Sequence, residues 1–224
     1  MLSNLLLTDL DRELERRGHR FCRYAYDCNI YVSSRKAGEQ AMNSISRSLE
    51  KHLQLSVNRA KSAVARPWER KFLGYSLTGH KQAKLKIGAS SVSRLKEKSR
   101  SLTTGNCSKA LKALIDGLAP VLRGWISYFR LTEIKGILEE LDGWIRRKLR
   151  CLMWRHWKKL HKRARMLMKG GLSEERAWIS ATNQRGPWWN SGARHLNQAL
   201  PKKIFDRAGL LSLLELHRQF QSCK

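Results

Sequence analysis

At 224 residues the chain is long enough for one well-packed core, or for a small domain followed by a helical one. Lys and Arg number 45 against 18 Asp and Glu, a formal net charge of +27 that exceeds what solubility requires and implies a polyanionic partner. A hydrophobic fraction of 42%, with 8 Trp and only 4 Pro, excludes a disordered basic tail, so the charge sits on a folded surface, as in a nucleic-acid-binding protein. Cys22, Cys28, Cys107, Cys151 and Cys223 form no Cys-x-x-Cys pair, which argues against a zinc knuckle or a disulfide framework and for a reducing, intracellular setting. The apolar opening is soon interrupted by Asp9, Asp11 and Arg12 and is too short for a signal peptide. No apolar run approaches the roughly 20 residues of a membrane span, and no membrane partner is expected.

The first predicted element is a helix over 2–17, with Leu2, Leu5, Leu6, Leu10 and Leu14 as its apolar stripe and Gly18 as its stop. The aromatic and β-branched stretch 21–32 predicts a β-hairpin turning near Tyr26-Asp27. Ser33 or Ser34 can cap a helix over about 35–53, where Ala37, Ala41, Ile45, Leu49 and Leu53 recur at helical spacing. Short strands are expected at 55–57 and 62–65, flanking a polar bend at 58–61. A second hairpin runs from 72–77 to 84–87 through Thr78-Gly79-His80, with Gly74 permitting a close backbone approach.

From about residue 90 the pattern turns helical. Ser90 or Ser91 can cap a basic helix to about residue 100, and a polar loop follows through Thr103-Thr104-Gly105-Asn106. A second helix spans about Ser108 to Phe129, burying Leu111, Leu114, Ile115, Leu118, Leu122 and Trp125, with a kink possible at Pro120 or Gly124. The third and longest covers roughly 133–168, with Ile137, Leu141, Ile145, Leu149, Leu152, His156, Leu160, Ala164 and Leu167 inward. Gly170-Gly171 breaks the pattern before a short helix at about 173–181 that Ser173 caps. Residues 183–195 read as loop, and a last helical segment lies within about 197–220.

Two patterns carry chemistry. Along the long helix, Arg146, Arg147, Lys148, Arg150, Arg155, Lys158, Lys159, Lys162, Arg163 and Arg165 follow one another without an acidic residue. Beside Trp154, Trp157, Trp188, Trp189 and Tyr128, such cations can neutralise phosphates while exposed rings stack on unpaired bases. Tryptophans are more often core than surface, in which case charge alone does the binding. The second pattern is the hairpin turn. Two-metal phosphoryl transfer needs carboxylates holding two divalent ions about 4 Å apart. Here the turn offers Asp27 beside Tyr26, and a neutral phenol is a poor Mg²⁺ ligand.

Several separate motifs then fall in one order. Leu2-Ser3-Asn4-Leu5-Leu6-Leu7, Asp9-Leu10-Asp11 and Leu14-Glu15-Arg16-Arg17-Gly18-His19 resemble the palm helix after the Gln-Gly-Gly motif of group II intron-encoded reverse transcriptase/maturases. The stretch 21–27 is similar to the segment ending in Tyr-Ala-Asp-Asp, and 53–64, with Asn58 and Lys61, to the next palm motif. Lys71-Phe72-Leu73-Gly74-Tyr75 resembles the hairpin beside the primer. Leu122-Arg123-Gly124-Trp125-Ile126-Ser127-Tyr128-Phe129 resembles the thumb, or maturase-specific X domain. Gly186-Pro187-Trp188-Trp189 and His195-Leu196-Asn197-Gln198-Ala199-Leu200 resemble its C-terminal end.

The resemblance implies an α+β fold: a partial palm at 1–90, a helical thumb/maturase domain at 91–180, and the C-terminal end of the maturase-specific region at 181–224. It implies structured intron RNA as partner, where charge alone does not choose RNA over DNA, and primer/template contacts at Lys61, Phe72, Leu73, Gly74 and Tyr75. It also implies a cytoplasmic chain associated with RNA or the nucleoid. The intact family enzyme uses Mg²⁺, held by an Asp of an earlier motif that would lie before residue 1 and by the first Asp of the pair, which is Tyr26 here. Asp27 is then the remaining carboxylate of a degenerate metal site. No cofactor is expected for this chain alone, nor polymerase activity of its own. The reading favoured is an RNA-binding maturase-type protein that assists intron folding and splicing. The alternatives are a polymerase fragment active only with a separately encoded N-terminal half, and a non-functional remnant of a mobile element.

Overall fold

A computed structural model describes residues 5–104 and 110–222. Leu2, Gly105, Asn106 and the expected helix start at Ser108 lie outside the described residues. The architecture is α+β, and the chain divides into two compact units, Met1–Ala83 and Lys84–Lys224.

In the first unit, helix α1 (Thr8–Arg16) ends where expected. Gly18 takes a left-handed φ of 70°, and the amides of Gly18 and His19 reach back to the carbonyls of Glu15 and Leu14, closing the last turn. The buried stripe is Leu7, Leu10 and Leu14, whereas Leu5 and Leu6, expected inside, are exposed. Strands β1 (Arg20–Tyr24) and β2 (Asp27–Tyr31) pair antiparallel with Tyr24 opposite Asp27, so the two-residue turn is Ala25-Tyr26. Helix α2 (Arg35–His52) begins at Ser34, whose hydroxyl accepts from the Ala37 amide at 3.2 Å. Leu7, Leu10, Leu14, Ala41 and Ile45 form the core of this unit, with Phe21, Ile30, Leu49 and Leu55 partly buried against it. Gly38 lets the chain pack closely on α2: a Cβ there would lie 2.6 Å from Val64 Cγ1.

The strands expected at 55–57 and 62–65 do not form. Burial alternates along both stretches, as in a strand, but no neighbouring strand supplies a hydrogen-bond ladder. Strands do appear at both ends of the second expected hairpin, β3 (Tyr75–Leu77) and β4 (Leu85–Ile87).

The second unit is helical beyond β4, whose Leu85 amide donates to the Glu133 carboxylate at 2.6 Å. Helix α3 (Ala89–Thr103) starts at Gly88 rather than at Ser90 or Ser91, and Ser91 is buried. Helix α4 (Leu111–Tyr128) runs unbroken through Pro120 and Gly124, both on its exposed face, and buries Leu114, Ile115, Leu118, Leu122 and Ile126. The long helix expected over 133–168 is two helices, α5 (Gly136–His156) and α6 (Leu160–Lys169). The ladder ends at Trp157, which takes φ −85° and ψ 67° and buries its ring; Leu160, expected inside, is exposed. Arg163 donates to the Trp157 carbonyl at 2.8 Å and fixes the corner.

Gly170-Gly171 then turns the chain into α7 (Glu174–Ala181), which packs on α6. Ser173 holds the cap position without a side-chain bond, so the first turn is favoured instead by Glu174 and Glu175 at the positive end of the helix. A Cβ on Gly170 would lie 2.4 Å from the Ala199 Cα, so only glycine allows this approach. The expected loop at 183–195 contains α8 (Pro187–Gly192), held by fully buried Asn190, which donates to the carbonyls of Arg185 (2.8 Å) and Gly186 (3.2 Å). The last segment is three helices, α9 (Arg194–Ala199), α10 (Lys202–Arg207) and α11 (Leu213–Ser222). Buried Asp142 of α5 caps α11, accepting from the Ser212 hydroxyl at 2.6 Å and the Leu213 amide at 2.9 Å. No described helix is long and apolar enough to cross a membrane.

Candidate nucleic-acid interface

The hairpin tip shows little of a metal site. Tyr26 is 79% exposed, and Asp27 beside it is exposed too. Asp11 does approach this hairpin, although nothing in the sequence calls for it. Arg23 on β1 binds both its carboxylate oxygens, through Nε at 2.6 Å, and donates at 3.0 Å to the Ala25 carbonyl of the turn. A bidentate guanidinium neutralises that carboxylate and takes up one acceptor position on each of its oxygens. Among the described residues no group of three His, Cys, Asp or Glu side chains is placed to hold a metal ion. Tyr26, Asp27 and an Asp11 already bound to arginine do not fit a two-metal centre.

The other palm-like candidates sit on tight turns. Lys61 closes a bend, its amide donating to the Asn58 carbonyl and side chain. Phe72 and Tyr75 exchange both backbone hydrogen bonds at 2.9 Å, across Leu73 (φ 51°) and Gly74 (φ 79°). Positive φ at both central residues makes this a twisted two-residue hairpin turn, and Gly74 supplies one of them without strain.

The basic run separates into two groups. Arg155, Lys158, Lys159, Lys162 and Arg165 are exposed, clustered about the α5–α6 corner and the first turns of α6. The others are wholly or partly withdrawn. Arg150, expected on the RNA surface, is only 8% exposed: its Nε donates to the Leu200 carbonyl at 2.9 Å and its guanidinium lies 5.4 Å from the Phe205 ring. Burial, then repulsion from Arg146, brings its pKa down to about 10. Arg163 lies over Trp154 at 4.8 Å, and Arg147 over Trp188 at 4.3 Å. Arg146 and Lys148 are half-buried.

The tryptophans divide as well. Trp154 and Trp157 are core residues, unavailable to a base, whereas Trp188, Trp189 and Tyr128 are exposed. Arg185 lies 5.0 Å from the Trp189 ring, and Lys96 and Arg100 flank Trp144 at 5.9 and 5.3 Å. Arg185 and Trp189 are four positions apart, but the pairs of Lys96 and Arg100 with Trp144 and of Arg147 with Trp188 join residues far apart in the chain, and no local pattern could have found those. His156 and His195 lie within the same helical unit, and burial lowers the pKa of each; for His156, Lys162 and Lys158 add to that effect.

Two family models match the chain: "Reverse transcriptase (RNA-dependent DNA polymerase)" over residues 1–77 and "Group II intron, maturase-specific domain" over residues 92–170. No curated protein matches it. The first match covers α1 to β3, including the hairpin tip, and the second covers the exposed cations of the α5–α6 corner. The chain belongs to the group II intron reverse transcriptase/maturase family.

Proposed function

We propose that the chain binds structured intron RNA in the manner of a maturase, stabilising the folded intron so that the RNA carries out splicing. The observation that carries this reading is the group of five exposed cations, Arg155, Lys158, Lys159, Lys162 and Arg165, with no acidic residue between positions 143 and 173. Each can contact a phosphate and release condensed counterions. A helical face with this charge reads RNA by shape and backbone, without entering a major groove. In this reading 91–180 is the thumb/maturase region, 181–224 completes it, and 1–90 is palm. The protein contributes binding and not polymerisation: Tyr26 occupies the position of the family's first paired carboxylate, and Asp11 is engaged by Arg23.

The test is binding of the purified chain to a group II intron RNA, against an unrelated structured RNA as competitor, across a salt series. The expected result is tight binding that survives competitor and moderate salt. Indiscriminate binding that collapses as salt rises would overturn the maturase reading and leave a charged remnant.

A further inference from the structure

Three arginines of α5 converge on a cavity between α5, α8 and α9, away from the exposed cations of the corner. Its volume is about 400 Å³, within the range of roughly 300–1,000 Å³ typical of small-ligand pockets. Arg146, Arg147 and Arg150 line it with Ser191, Gly192 and Asn197, and no carboxylate is among the lining residues. Among the described residues none of the three arginines has an ion-pair partner. Like charges gathered in a partly desolvated space repel one another unless an anion enters.

The cavity is also built in advance of a ligand. Arg147 is held over the Trp188 ring, with Nη2 donating to the Trp188 carbonyl at 3.2 Å and Nε to the Ser191 hydroxyl at 3.4 Å. A Cβ at position 192 would come within 3.0 Å of that guanidinium, so Gly192 keeps its place open. Arg150 is anchored by its Nε on the Leu200 carbonyl, which leaves its η-nitrogens as donors. Arg147 therefore belongs both to a cationic cavity and to a stack on a tryptophan that is 42% exposed. Ser191, Gly192 and Asn197 lie beyond the stretch matched by the maturase model.

We propose that this cavity and its rim seat one unstacked nucleotide of bound RNA, its phosphate among Arg146, Arg147 and Arg150 and its base on the part of the Trp188 ring that Arg147 leaves exposed. The proposal rests on the RNA-binding reading above and specifies it: the chain recognises an unpaired nucleotide beside a structured element. Guanidinium donors suit phosphate oxygens, and an adjacent aromatic face accepts any base, which favours a nucleotide over an acidic peptide.

The test compares an RNA hairpin with blunt ends to the same hairpin carrying a short unpaired 3′ extension, by fluorescence anisotropy with the full chain. Wild type is expected to prefer the extended form by about tenfold. Arg146→Ala and Trp188→Ala should bring the two affinities within about twofold of each other. Gly192→Ala, which displaces Arg147, should act in the same direction, and circular dichroism would show each variant folded. Equal binding of both hairpins by wild type, or a preference that survives Arg146→Ala, would overturn the nucleotide seat and leave the RNA-binding reading intact. Failure to bind either hairpin would overturn the nucleotide seat, and the intron-RNA binding measurement decides the RNA-binding reading separately. Displacement of the extended hairpin by oligoglutamate as readily as by a single-stranded oligoribonucleotide would make the cavity a carboxylate site and also overturn the proposal.

Discussion

The arginines of α5 and the lysines that follow at the α5–α6 corner belong to one uninterrupted basic run, yet the fold uses them in opposite ways. Arg147, Arg150 and Arg163 turn toward protein, each over an aromatic ring and each donating to a backbone carbonyl. Lys158, Lys159 and Lys162 stay in solvent. The planar, weakly hydrated guanidinium stacks and forks onto carbonyls, while the compact ammonium is strongly hydrated and remains outside. Arg155 and Arg165 are exposed as well, so residue type biases the outcome and packing decides it. A charge run is thus a mixture of tertiary struts and solvent-facing cations, and the two kinds are expected to respond differently to substitution.

The largest contrast should come from reversing Lys158, Lys159 and Lys162 together to Glu. Affinity for structured RNA is expected to fall on the order of a hundredfold at moderate salt, and the slope of log K against log salt to flatten by about 0.9 per lost phosphate contact. Thermal unfolding should scarcely move, and a large drop in Tm would break the distinction drawn between the two groups.

Arg150→Ala should show the reverse pattern. It removes a buried side chain and leaves the Leu200 carbonyl without its donor, for a loss of about 2–3 kcal/mol in urea unfolding. Arg155→Ala, at an exposed position five residues on, should change stability by less than about 0.5 kcal/mol. Equal losses from the two variants would place Arg150 on the surface after all.

A smaller effect is expected from pH. Burial holds the pKa of His156 and His195 below the ordinary 6.5, so both remain neutral in the folded protein as the medium acidifies. The unfolded chain then binds more protons, and stability should decline as pH falls through about 6.5, levelling off below the folded-state values. His156→Gln should flatten the dependence of Tm on pH over that window; an unchanged profile would show that His156 does not contribute.

The smallest expected effect is none. Tyr26→Asp should give no primer extension with Mg²⁺, because Arg23 still occupies Asp11 and one added carboxylate does not complete a two-metal centre. Measurable extension would overturn the reading of the hairpin tip.

The sequence was most legible where a signal is local. The Gly18 stop of α1, the Ser34 cap of α2 and the hairpin at 20–31 each follow from residues a few positions apart. It was least legible where a partner comes from far along the chain. The 55–65 stretch has the alternation of a strand but no neighbour to pair with, and periodicity through 160 concealed the corner at Trp157. Ser191, Gly192 and Asn197 carry no local mark of a cavity; they acquire one only when α8 and α9 meet α5.

The sequence by itself determined the family, the α+β order of elements, the strong positive charge and the Tyr26-Asp27 pair at the hairpin, because motif order and composition need no folding to be read. Tertiary structure decided which cations face solvent, where the long helical pattern turns and how α11 is capped. Those outcomes depend on a carbonyl 50 residues from Arg150 and a hydroxyl 70 residues from Asp142, partners that short-range periodicity and propensity do not encode.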